Sequence, residues 1–297
     1  MNENNLTRNE LSALVPQYPS NFSDTNHSPL TTHHSLKRKF AFTLAEVLIT
    51  LGIIGVVAAL TLPSFIQNYQ KKLVETRLKE TYSILSQMMQ YAIAENGESV
   101  NWVYPKYGDQ NYNEADFFEK YLAKHVKVMK TCEHTINNVN NYQCRTHHSD
   151  LFKTQSGDKV NWSNMAEGSK KYILANGTSF YFDTIWGNDH DPNPNGPDYY
   201  GIIFVVDLNI NKNNALLGRD IFLFIYNEIT EKLMSSRYMD MQGHDRSCST
   251  LQNNRAAVIN ECRTGDFGVA GGGYDGGCTT LIMCNGFAIP DDYPIKF

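Results

Sequence analysis

From Val47 to Ile66 the chain carries no charged residue, and a run of that length is what a helix rising about 1.5 Å per residue needs to cross a hydrocarbon core. This stretch limits the fold more than any other, because a backbone in lipid must satisfy its own hydrogen bonds, which a helix does. Lys37, Arg38 and Lys39 stand shortly before it, and short flanks rich in Lys and Arg stay on the cytoplasmic side. The expected orientation therefore has the N-terminus inside and everything past Ile66 outside. Lys71 and Lys72 beyond the span weaken that bias without reversing it. Glu46 does not suit a plain anchor, since an unpaired carboxylate costs about 2 to 3 kcal/mol at mid-membrane. A partner for it is implied.

Three cations, a small residue, then Phe42-Thr43-Leu44-Ala45-Glu46-Val47 and the apolar run resemble the prepilin signature of type IV pilins and type II secretion pseudopilins. The resemblance implies that a prepilin peptidase cuts between Ala41 and Phe42 and that the new amine of Phe42 is methylated. The usual residue before the cut in that family is Gly; Ala41 stands there in this chain. It further implies that Glu46 faces the N-terminal amine of a neighbouring subunit, a pair that favours one register when desolvated on assembly. The implied partners are the peptidase, other pilin-like subunits with their assembly machinery, and inner-membrane lipid. Two rival readings are a Glu that snorkels to the interface and a secretory signal cleaved near Val57-Ala58-Ala59. The apolar pattern running past Leu60 and the interrupting Glu46 speak against the second.

Taken in order, Met1 to Leu36 is rich in Asn, Ser, Thr and His without an apolar period, a composition that buries too little to fold, so residues 1–41 read as a disordered leader. After the span and filament-core segment, 42–66, apolar residues keep recurring at three- and four-residue steps (Leu73, Leu78, Tyr82, Leu85, Met89, Ile93), so 67–96 continues the helix amphipathically. It should run from Phe42 to about Glu95 and stop at Asn96-Gly97. Pro63 should mark a kink or a segment able to unwind.

Residues 97–297 read as an exported head, and the whole as α+β: a long N-terminal helix packed on an antiparallel sheet, pilin-like. Glu114 to Met129 has helical spacing. Lys171 to Leu174 and Thr178 to Phe182 around Asn176-Gly177 look like a hairpin. Asp189 to Asp198 is a loop by composition. Ile202 to Leu208 and Ile221 to Tyr226 read as two antiparallel strands, Gly265 to Gly277 as a mobile glycine-rich stretch, and Thr279 to Met283 with Phe287 to Ile289 as a closing hairpin turned by Asn285-Gly286.

All six cysteines, Cys132, Cys144, Cys248, Cys262, Cys278 and Cys284, lie beyond the span, as disulfides of an exported domain would. Cys132 with Cys144 is preferred over a zinc site built with His134, His147 and His148, because no Cys-x-x-Cys pair is present. For the other four the local pairing is Cys248 with Cys262 and Cys278 with Cys284, although the sequence does not choose among connectivities. Asp207, Asn209, Asn211 and Asp220 place oxygen side chains at a connection between strands, as a calcium loop does. The central Gly and terminal Glu of an EF-hand are missing, which favours a plain turn. No other cofactor is implied.

A net charge of −5 and no basic patch give no footprint for nucleic acid. No nucleophile elbow, metalloprotease helix or phosphate-binding loop occurs. The expected role is a non-enzymatic filament subunit in the inner membrane with an exported head. The alternative is an anchored binding module or enzyme whose helix is only a tether.

Overall fold

The computed structural model describes residues 42–105, 113–132, 152–154, 157, 170–186, 200–210, 215–228, 230–235, 247–264 and 276–297. The chain divides into Met1–Ile54 and Gly55–Phe297. Within the first part, the described residues open one helix, α1 (Leu44–Asn96). It ends where the sequence places the stop: Gly97 takes φ +81° and donates its N–H to Ile93 O at 2.9 Å. Pro63 lies inside α1 and does not end it.

From Gly55 onward the organising element is a six-stranded antiparallel sheet of β1 (Val128–Cys132), β3 (Lys171–Leu174), β4 (Ser179–Trp186), β5 (Tyr200–Asp207), β7 (Ile221–Asn227) and β8 (Lys232–Met234), in that spatial order. A small parallel pair joins β2 (Phe152–Lys153) and β6 (Ala215–Leu216). The hairpin expected around Asn176-Gly177 joins β3 to β4, and the two apolar runs after Gly201 are β5 and β7 in antiparallel register. Fold class α+β, with helix and antiparallel sheet, therefore holds.

Alternation sorts the side chains onto two faces. Tyr172, Phe180, Val206 and Phe222 are register partners across four strands, and Phe182, Phe204 and Phe224 form the next row. These rows and Leu78, Leu85, Met88, Met89 and Ala92 of α1 form one buried cluster. Rings in it pack at offset and tilted angles; Phe118 lies 3.8 Å from Tyr172, and Phe180 meets Phe204 edge-on at 5.9 Å. The opposite face, with Ile203, Val205, Leu223 and Ile225, is buried as well.

Two elements differ from the sequence reading. Glu114 to Met129 is not one helix: α2 (Glu114–Phe117) passes through a π turn (Phe118–Leu122) and a 3-10 turn (Ala123–His125) into β1. Asn113 Oδ1 caps α2 by accepting the N–H of Ala115 and Asp116. The aromatic spacing is helical, but Val128 and its successors pair with β3, and sheet pairing overrides local period.

The closing hairpin is likewise absent: Thr279 to Met283 belongs to a helix, α5 (Gly277–Met283), which follows α3 (Ser247–Asn253) and α4 (Arg255–Thr264). Asn285-Gly286 is a helix stop and not a strand turn. Phe287 N–H bonds to Ile282 O at 2.9 Å, and Gly286 N–H to Met283 O at 3.0 Å with φ +67° at Gly286, the bond pair of a Schellman cap. β8 pairs only with Ile225, Tyr226 and Asn227 of β7, and Thr279 Oγ1 accepts the Leu223 N–H farther along that strand.

Candidate functional site

The first candidate is the start of α1. Thr43 and Glu46 close a reciprocal capping box: Glu46 Oε2 accepts the Thr43 N–H at 2.8 Å and its hydroxyl at 2.9 Å, while Thr43 Oγ1 accepts the Glu46 N–H at 3.2 Å. The carboxylate that seemed to demand a partner thus has one three residues away in its own helix. Both bonds end on Oε2, which leaves Oε1 open to a further donor among the described residues. Sequence reasoning passed over this contact although Thr-x-x-Glu spells it. Phe42 is exposed, and Ala41 lies outside the described residues.

Beyond the cap, the apolar side chains of α1 from Leu44 to Ile66 are exposed, Ala58 alone being half-buried among them. Burial begins at Leu78. α1 is long and apolar enough to cross a membrane.

The later turns of α1 are built into the head by polar contacts as well as packing. Arg77 Nη1 donates to Leu208 O at 3.0 Å, the Thr81 and Thr178 hydroxyls lie 3.1 Å apart, and Tyr82 OH donates to Leu233 O at 3.2 Å. The C-terminal segment straps the same helix: Ile289 N–H donates to Glu75 Oε1 at 2.8 Å, and the Phe287 ring lies 5.1 Å from Tyr82. At the end of α1, Glu95 binds Lys124 and His125, and the Lys124 ammonium holds its carboxyl below the usual range.

The proposed calcium residues occupy the β5–β7 connection but are engaged with their own chain. Asp207 Oδ2 accepts from Lys171 Nζ at 2.9 Å with both side chains buried, and Oδ1 accepts the Asn209 N–H at 2.9 Å. Asp220 Oδ2 accepts Arg219 Nε at 3.0 Å and Nη2 at 2.9 Å, besides the Leu216 N–H. Asn209 is half-buried beside Asp207, and Asn211 lies outside the described residues. No group of three metal-ligating side chains forms among the described residues. The arrangement suits turn formers, with Lys171, which the sequence did not single out, as the internal cation.

The local disulfide pairing is corrected: Cys248 bonds Cys284 and Cys262 bonds Cys278, one bridge nested within the other. Because Thr279 to Met283 is helical, Cys278 and Cys284 stand at opposite ends of α5 and reach α4 and α3 instead of each other. Cys132 is disulfide-bonded, and none of the described cysteines is free. Cys144 lies outside the described residues, as do the loop at Asp189 to Asp198 and the glycine-rich stretch from Gly265 to Asp275.

These features define an α+β protein with, among the described residues, one membrane-length helix, the later turns of which are part of the head's core. The chain belongs to a family described as a family of unknown function (DUF6613), whose model matches residues 64–297. No curated protein and no solved structure matches it.

Proposed function

We propose that this chain is a subunit of a filament of the type IV pilus or type II secretion kind, cut by a prepilin peptidase before Phe42 and assembled through α1. The observation that carries the reading is one helix with two environments: an exposed apolar start led by the basic, small-residue, Phe-Thr-Leu-x-Glu-Val pattern, and later turns locked into the head. A subunit of this kind must transfer its apolar turns from lipid to neighbouring subunits without loosening its head. The bonds of Glu75, Arg77, Thr81 and Tyr82 supply that rigidity. In this reading the head is exported, 1–41 remains inside, and its size suits a minor or tip component.

Cleavage before Phe42 leaves the Thr43 amide and hydroxyl in place, so the capping box persists while Glu46 Oε1 can receive an incoming amine. Deleting the prepilin peptidase should leave the chain at full length in the inner membrane. A mature-sized chain in that background would count against the proposal.

A second reading, an anchored module using α1 only as a tether, draws on one observation: Glu46 already has a partner in its own helix and does not require another subunit. The two differ in whether the chain enters sheared filaments or a secretion complex.

A further inference from the structure

The nested connectivity gives the two bridges different surroundings. Cys262 and Cys278 are 1% and 3% exposed. They lie beneath Gly218, where φ is +78° and an added Cβ would run into Cys278 Sγ and the Tyr293 hydroxyl. Cys248, by contrast, is exposed, and Cys284 is half-buried. Exchange requires a thiolate to reach a disulfide sulfur, so access governs which bridge reacts.

We propose that the Cys248–Cys284 bridge is a site of thiol–disulfide exchange with a dithiol reductant, and that it acts as a releasable latch on the C-terminal strap of α1. One thiolate of the dithiol attacks Cys248 Sγ; a mixed disulfide forms, and the Cys248–Cys284 bond breaks with its electron pair leaving on Cys284 sulfur, which takes up a proton. The second thiolate attacks the dithiol's own sulfur in the mixed bond and releases Cys248 as a thiolate that is then protonated. Two electrons pass to the protein, and the dithiol departs as an intramolecular disulfide.

The structural consequence follows from where Cys284 sits. Its N–H closes the last turn of α5 on Thr280 O at 3.0 Å, just before the cap that sets Phe287 on Tyr82 and Ile289 on Glu75. Reduction frees that turn from α3, while Cys262–Cys278 still ties the first turn of α5 to α4. The strap end loosens; the sheet does not.

The test is timed reduction of the full chain in detergent with dithiothreitol under native conditions, quenched with N-ethylmaleimide and mapped by peptide mass spectrometry. Cys248 and Cys284 should label at least about tenfold faster than Cys262, Cys278 and the buried Cys132. Amide hydrogen exchange of the partly reduced chain should rise over 247–253 and 284–289 and stay unchanged over β5 and β7. Equal labelling rates, earlier labelling of Cys262 and Cys278, or exchange spreading into β5 and β7 would overturn the proposal. The Cys248→Ser/Cys284→Ser double variant should show the same exchange pattern without reductant, and its failure to fold would contradict a latch whose release spares the sheet.

Discussion

Replacing Lys171 by Met should destabilise the head far more than the loss of an ordinary lysine. The Lys171 and Asp207 side chains are 4% and 9% exposed, with Nζ and Oδ2 2.9 Å apart. Met fills most of the lysine stem but leaves the Asp207 carboxylate with the Asn209 amide and no cation. Breaking a buried pair from one side costs about 3 to 5 kcal/mol. The double variant Lys171→Met/Asp207→Asn should regain most of the stability, since no buried charge is left unpaired. Urea unfolding of the detergent-solubilised chain at pH 7 reads both variants. Calcium should not rescue the single variant, and a rise in midpoint with millimolar calcium over EDTA would revive Asp207 as a ligand. A loss under about 1 kcal/mol at pH 7 would mean that Asp207 is solvated, refuting the buried-pair argument.

Three further outcomes are expected. Gly286→Ala should lower stability by about 1 kcal/mol in the same unfolding assay, because the cap needs a left-handed residue at φ +67°; an unchanged midpoint would remove the cap from the account. Arg255 binds Asp292 through two bonds, at 2.7 and 2.6 Å, and holds its carboxyl below the ordinary range. That contribution is present above the unfolded aspartate value and is lost as pH falls through the lowered one; half-exposed, it is worth under about 1 kcal/mol, so Asp292→Asn should cost that at pH 7 and progressively less as the pH falls below the ordinary aspartate value. Glu46→Gln, which can still accept from Thr43, should insert and be cleaved like the parent yet enter sheared filaments poorly. Parental incorporation at matched membrane levels would favour the anchored-module reading.

The elements that could be read in advance are those whose signal is local. The three- and four-residue period through Ile93 with Asn96-Gly97 placed α1 to within two residues at each end, and Asn176-Gly177 placed the β3–β4 hairpin. The reading failed where a partner distant in sequence decides. Thr279-Thr280-Leu281-Ile282 has strand composition, yet bridges from Cys278 to Cys262 and from Cys284 to Cys248 hold it as a helix. Lys171 enters the sequence reading only as the first residue of a hairpin strand, and its role comes from Asp207, 36 positions away. The Thr43–Glu46 contact was local and legible, but a carboxylate beside an apolar run directed attention to partners outside the chain.

The measurement that bears most directly on the central proposal is mass spectrometry of the mature N-terminus of the membrane-resident chain. The account predicts a chain that begins at Phe42 and carries an N-methyl group. An intact Met1, or a chain beginning at Leu60, would contradict it.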